Sequence, residues 1–322
     1  MEIRRIIAAY FSPTGNVKKI ADAMAREIGE EAGLPVETID FTGPQARSKQ
    51  YTFGRDDLLI IGLPVYAGRL PNKILPFVQE NLKGDDTLSL PFVCYGNRAF
   101  DDGLSELVYE QRNTGFKPAA AGAFATQHAF ATALSHGRPR EEDLAEAVDL
   151  ARGLWECAAK AGCVEDLAEP EVAGNTPPGP YYRPLRMDGE PAVFLKAKPL
   201  TDPDRCIRCG TCARVCSMGS IDPEDVTNVP GICIKCQACV TSCPKDAKYF
   251  DHPDFLSHKE MLESNYTEEK PNSIWPASLK YLEQQSIKAT AANRIQMLRK
   301  PVKEFDAKAE MQVYLEKRYE TE

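Results

Sequence analysis

The 322-residue sequence contains no apolar run long enough to span a bilayer. Its N-terminus, MEIRRIIAAYFSPTG, has an apolar stretch too short for a signal peptide and no small-residue cleavage site. A basic surplus is also missing, since 39 Lys and Arg stand against 47 Asp and Glu for a formal net charge of −8. That balance argues against nucleic acid as a partner. Neither GxxxxGKS/T nor GxGxxG occurs, so a nucleoside-triphosphatase loop and a dinucleotide fingerprint are both excluded. The expectation is a cytoplasmic protein without a membrane span. In that reducing setting, eleven cysteines are metal ligands or buried thiols rather than disulfides.

What is present is enough for two domains, each with its own core, at 43% hydrophobic content. The cysteines divide unevenly. Cys94, Cys157 and Cys163 stand singly, whereas eight fall in two runs, CIRCGTCARVC and CIKCQACVTSC, separated by sixteen residues. Both read CxxCxxCxxxC, an internal repeat that marks a small module. Three cysteines at two-residue gaps let a short loop wrap one corner of an iron–sulfur cube, while the fourth, after a longer gap, points elsewhere. Structural zinc is the alternative, but zinc sites combine CxxC pairs across longer spacers rather than repeated triplets.

The first 165 residues alternate strand and helix patterns. RRIIAAYF is a short apolar run, and residues 16–31 place Val17, Ile20, Ala21, Met24 and Ile28 on one helical face. DDLLIIGLP and LPFVCYG read as parallel strands buried on both faces, with AAAGAFATQ a weaker third. Residues 72–82, 103–112 and 140–160 read as helices. This alternation predicts a doubly wound parallel α/β sheet, whose ligands bind at the carboxyl ends of the strands.

The loop SPTGN (Ser12, Pro13, Thr14, Gly15, Asn16) follows the first strand and opens the first helix. Backbone N–H groups and the positive end of the helix dipole there suit one phosphate. An ordinary strand-to-helix turn with Asn16 as N-cap is the other reading. Two further loops, PVYAGRLP after the third strand and YGNRAFDDG after the fourth, lie at the same end of the sheet and offer aromatic residues beside glycine and asparagine backbone.

With these three loops the chain resembles the flavodoxin family. The resemblance implies that Ser12 to Asn16 hold the phosphate of FMN, with Pro64, Val65, Tyr66 and Ala67 on one side of the ring and Tyr95, Gly96, Asn97, Arg98 and Phe100 on the other. Many flavodoxins read TGNT where this chain has Val17, one phosphate hydrogen bond fewer. The cysteine runs resemble bacterial two-cluster ferredoxins, in which the fourth Cys of each run serves the other cluster. Carried over, Cys206, Cys209, Cys212 and Cys243 would hold one 4Fe-4S cluster, and Cys233, Cys236, Cys239 and Cys216 a second. Ser217 stands after Cys216, whereas Pro244 follows Cys243 as in the usual run.

The whole is similar to fused flavodoxin–ferredoxin proteins, sometimes called ferrodoxins, over residues 1–270. The implied layout is a flavodoxin-like domain at 1–165, an extended linker at 166–200, a ferredoxin domain at 201–254 and a helical extension at 255–322, in which 277–299 and 302–318 are helix-compatible. The implied function is electron transfer between a redox donor and a redox acceptor through FMN and two clusters, with no residue acting as acid, base or nucleophile. A second reading is an FMN-dependent reductase of a quinone or small organic substrate, with Tyr66, Arg69, Arg98 and His128 around the substrate. A third, in which the clusters are only staples, conflicts with the flavin-type loops.

Overall fold

The computed structural model describes residues 1–280, of which Met1–Leu279 form one compact unit. The strands are β1 (Arg5–Tyr10), β2 (Val36–Asp40), β3 (Tyr51–Phe53), β4 (Asp57–Pro64), β5 (Leu82–Gly84), β6 (Thr87–Tyr95), β7 (Phe116–Pro118), β8 (Ala121–Ala125), β9 (Leu200–Thr201), β10 (Lys248–Tyr249) and β11 (Ser273–Trp275). The helices are α1 (Asn16–Ala32), α2 (Leu75–Asn81), α3 (Gly103–Asn113), α4 (Glu141–Lys160), α5 (Thr211–Arg214), α6 (Ala238–Thr241) and α7 (Pro253–Asn265).

Side chains alternate across a strand, and β1 shows what this does here. Ile6, Ala8 and Tyr10 enter the core under α1 and α4, while Ile7, Ala9 and Phe11 enter the core under α2 and α3. A sheet covered on both faces follows, with parallel order β2-β1-β4-β6-β8. In rank order this is 2-1-3-4-5, the flavodoxin-like arrangement, with its ligand crevice where the winding reverses beside β1 and β4. Helix α2 begins at Leu75 rather than at 72, because the N–H groups of Ile74 and Leu75 both turn back to the Pro71 carbonyl.

Beyond the doubly wound sheet the chain makes an excursion and returns. After α4 it runs irregularly to β9, which pairs antiparallel with β10 around the cysteine module, then through α7. The segment after α7 is not a continuation of helix. It is extended, and β11 joins the main sheet antiparallel to β8, with Ser273 opposite Ala123 and Trp275 opposite Ala121. The helix expected at 302–318, and nearly all of that at 277–299, lie outside the described residues.

Asn272 fixes this return. Its side-chain oxygen accepts from the Ala125 N–H at 3.0 Å and from Arg138 at 2.9 Å, and its amide donates to Asp143 at 2.9 Å and Glu146 at 2.7 Å. Arg138 and Asp143 form a buried ion pair, and Arg138 also donates to the Lys270 carbonyl at 2.6 Å. Burial alone would raise the Asp143 carboxyl. The Arg138 pair, the Arg140 N–H and the Asn272 amide outweigh it and hold the group below the ordinary carboxylate range.

Removing one partner of such a pair leaves the other charge uncompensated. Asp143→Ala should therefore lower the unfolding free energy at pH 7 by about 3–5 kcal/mol in denaturant titration. Because the folded-state value is depressed, the native Asp143 contribution is present above the unfolded carboxylate value of about 4 and is lost as pH falls through the folded value. The gap between native and variant protein should narrow in acid, and a gap constant to pH 3 would contradict the ion-pair account.

Candidate redox centre and ligand cleft

The cysteine repeat recurs as backbone geometry. Arg208 and Gly210 in the first run, and Lys235 and Gln237 in the second, all take positive φ, at 53°, 72°, 57° and 66°. Three of the four are not glycine, so each loop is held in a conformation L-residues disfavour by roughly 1–2 kcal/mol apiece. These positive-φ turns fall at the same offsets in both runs.

The sulfurs sort into two groups, and each group crosses the runs. One pocket is lined by Cys206, Cys209, Cys212 and Cys243. In the other group Cys216, Cys233, Cys236 and Cys239 act on one another electrostatically. Burial first, then Cys236, Cys233 and Cys216, push the Cys239 thiol up to about 12. Burial likewise raises Cys233 and Cys236, with Cys216 adding to both. Gathered thiols that resist ionisation are stabilised as thiolates once a metal supplies opposing charge.

Among the described residues, no three His, Cys, Asp or Glu side chains gather tightly enough to hold a single metal ion. A four-iron cube takes one thiolate at each iron and spreads its ligands more widely, so the donor set suits a cluster. Backbone N–H groups already aim at sulfur in the same register of both runs: Ser220 to Cys216 and Ala247 to Cys243, each at 3.2 Å. Ser217, the residue that stands where the second run has Pro244, places its hydroxyl 3.3 Å from Cys236. Burial raises the Cys212 thiol as it does that of Cys239, and buried Lys248 opposes the rise at both, which places its ammonium near both groups.

The second feature is a cleft of about 580 Å³ at the carboxyl ends of β1, β4 and β6, a size typical of small-molecule sites. Ser12, Pro13, Thr14, Asn16, Pro64, Val65, Tyr66, Ala67, Gly96 and Arg98 all line it. Gly15, with φ 88°, is the N-cap of α1 in place of Asn16, and an added Cβ there would meet nothing within 4 Å. The Ser12 hydroxyl oxygen accepts the Lys18 N–H at 2.9 Å, which leaves its proton free to donate. Together with the first N–H groups of α1, which have no intrahelical partner, this loop suits a phosphate.

Three residues of the expected ring site do other work. Tyr95 is buried and donates its hydroxyl to the Pro271 carbonyl at 3.1 Å. Phe100 packs edge-on between Tyr95 and Trp275. Asn97 is fully buried at φ 65°; its amide donates to the Tyr266 and Glu268 carbonyls at 2.7 and 2.8 Å, and its oxygen accepts from Ser135 and the Lys270 N–H, both at 2.8 Å. All three hold the 266–275 return segment. Arg69 is also committed elsewhere, paired with buried Glu106 beneath the Tyr181 ring.

The segment after β8, residues 126–130, also lines the cleft, and further walls of the cleft come from regions outside the doubly wound sheet. Ile232, Cys233, Ile234 and Lys235 of the cysteine module line it, as do Tyr181, Tyr182, Pro184, Phe194 and Leu195 of the linker and His258 and Leu262 of α7. The linker is pinned there: Asp102 accepts from Asn175 and Gly179, the Tyr181 hydroxyl donates to Leu70 at 2.8 Å, and the Tyr182 N–H donates to Ala67 at 2.8 Å. On the module side Arg47 bridges the Phe41, Thr42 and Ser217 carbonyls, while Met218 and Ile234 pack on the sheet core. Burial, and then Cys236 and Cys233, raise the Tyr66 phenol well above its usual value, which sets that residue between the cleft and the second sulfur group. His128, over Gly96, is pushed down to about 3 by burial, His258 and Arg98.

The protein is thus a flavodoxin-like α/β domain carrying a ferredoxin-like cysteine module. Residues 198–221 match the 4Fe-4S binding domain family. A selenate reductase subunit from Mesobacillus selenatarsenatis is 27% identical over 125 residues, 37% of this chain and 41% of the relative; the match spans about two-fifths of that protein's length. Among solved structures, a flavodoxin from the domain Archaea is 18% identical over 49% of this chain and 99% of its own, with TM-score 0.37. Rubredoxin oxygen:oxidoreductase of Desulfovibrio gigas is 15% identical over 49% and 37%, with TM-score 0.35. The fold assignment rests on the strand order rather than on these overlays.

The role found for Asn97 is testable. Asn97→Ala would leave the Tyr266 and Glu268 carbonyls, the Lys270 N–H and the Ser135 hydroxyl without partners in a buried place. The expected loss is about 2–4 kcal/mol of unfolding free energy in denaturant titration, with early proteolytic nicking near 266–275. Unchanged stability together with weaker ligand binding would instead return Asn97 to the cleft.

Proposed function

We propose that this chain is an electron-transfer flavoprotein that holds FMN in the cleft and two 4Fe-4S clusters in the cysteine module. Cys206, Cys209, Cys212 and Cys243 would hold an outer cluster; Cys216, Cys233, Cys236 and Cys239 would hold an inner one. Bound there, the clusters would supply single-electron steps and FMN one- or two-electron storage. The observation that carries the reading is the double position of Cys233, which belongs to the inner sulfur group and also lines the cleft. The outer group stands at the far side of the module, where Cys209 and Ile207 are exposed, and suits exchange with a separate redox protein.

The chain's own residues set distance and environment. Ser12, Thr14 and the first turn of α1 receive the phosphate, Tyr66 stands between ring and inner cluster, and N–H groups on the sulfurs favour the reduced, more negative state. A second reading, reduction of a small organic substrate at the flavin, is favoured by one specific feature: the linker and α7 roof the cleft, which an electron carrier does not require.

Anaerobically prepared protein should contain one FMN and about eight irons with eight sulfides per chain. Cys243→Ser should damage the cluster held by Cys206, Cys209 and Cys212, although Cys243 lies in the other run, and should spare the EPR signal of its neighbour. Loss of the centre held by Cys233, Cys236 and Cys239, or stoichiometric zinc in place of iron, would refute the ligand assignment.

A further inference from the structure

Two histidines face the cleft with opposite hydrogen-bonding edges. The His128 Nδ1 accepts the N–H groups of Phe130 at 3.3 Å and Ala131 at 3.0 Å. A nitrogen that accepts carries no proton, so in this ring the proton is on Nε2. In His258 the Nδ1 lies 2.8 Å from the Leu185 carbonyl oxygen, which can only accept, so Nδ1 holds the proton and Nε2 is bare. Both residues line the cleft with their other edges so committed. One therefore offers a donor and the other an acceptor.

Their surroundings are aromatic. His258 stacks on Phe194 at 5.6 Å and lies 6.5 Å from Tyr182, while His128 meets Phe130 edge-on at 4.4 Å. The Arg98 guanidinium covers the Tyr182 ring at 4.0 Å and pairs with Asp101. Burial and Arg98 lower both imidazoles, so both rings are neutral at pH 7. His258, Tyr182 and Phe194 belong to α7 and the linker, which lie outside the doubly wound sheet whose loops form the flavin-type site.

We propose that this wall is a second binding site within the cleft, for a neutral, planar, conjugated carbonyl compound that also bears an N–H or O–H donor. Its carbonyl oxygen accepts from His128 Nε2, its donor is received by His258 Nε2, and its faces lie against Tyr182 and Phe194. The inference deepens the reductase reading, and depends on the FMN assignment in that the compound would be held beside the flavin ring.

The test is calorimetric titration of the full, oxidised chain with 2-quinolone, a redox-inert probe carrying both groups, beside N-methyl-2-quinolone, which lacks the donor. Sub-millimolar binding of 2-quinolone is expected, weaker by about 10-fold for the N-methyl compound and for His128→Phe or His258→Phe, as for one lost buried hydrogen bond. Tyr182→Ala, at a half-exposed position, should weaken both probes alike and serves if a histidine variant fails to fold. No binding by the native chain, equal binding of the two probes, or undiminished binding by all variants would overturn the proposal. Loss of extractable flavin from the histidine variants would also overturn it, by making the pair part of the flavin site. Absence of flavin from the native chain, with probe binding intact, would count against the FMN reading alone.

Discussion

The short antiparallel pairing of β11 with β8 is the contact on which the arrangement depends. It closes a loop that leaves the sheet after α4, passes through the linker and the cysteine module, and returns through α7 to the same sheet. A module tethered at one end explores a volume set by its linker; one tethered at both ends, with the linker itself bonded to the loops after β4 and β6, has far less freedom left to lose on docking. The entropic cost falls on three residue pairs and on the Asn97, Arg138 and Asn272 networks that hold 266–272. This explains why so much buried hydrogen bonding is concentrated on an otherwise irregular segment.

Within the module the opposing costs are local. Four non-glycine residues with positive φ, Arg208, Lys235, Gln237 and Asp246, strain the loops, and thiolates gathered in the enclosed group would repel one another without a metal to oppose their charge. The hydrophobic contribution is small, a cluster formed by Ile221, Val226 and Val229 with two of the cysteines themselves. With so small a core, the iron binding proposed for this module would supply much of its folding energy. Contact with the sheet domain through Arg47, Met218 and Ile234 adds support on the inner side only. The outer sulfur group thus remains accessible while the inner one is enclosed.

The sheet was legible because strands buried on both faces write themselves as continuous apolar runs, and the cysteine module because a repeated spacing is a geometric statement; the crossing of the two runs came only from the resemblance to two-cluster ferredoxins. β2 was harder: in Val36–Asp40 only Ile39 is buried, the pattern of a sheet edge. β11 was not legible, since Ser-Ile-Trp is too short to show a period and its pairing is backbone-driven. Tyr95, Asn97 and Phe100 were read toward the ring because they follow a strand at the ligand-bearing end. Nothing in local sequence says that a buried asparagine there bonds the backbone of residues 169 and 171 positions away. His258 stands in no sequence motif, and its place beside the cleft arises only from the fold-back that brings α7 there.

The central claim is that inner cluster and flavin communicate within one chain because the double tether holds them together. Rapid mixing with a one-electron donor that reduces only the clusters tests this directly. The account predicts cluster bleaching first and flavin bleaching second, at a rate independent of protein concentration. A flavin rate that rises in proportion to protein concentration would mean transfer between molecules, and would contradict it.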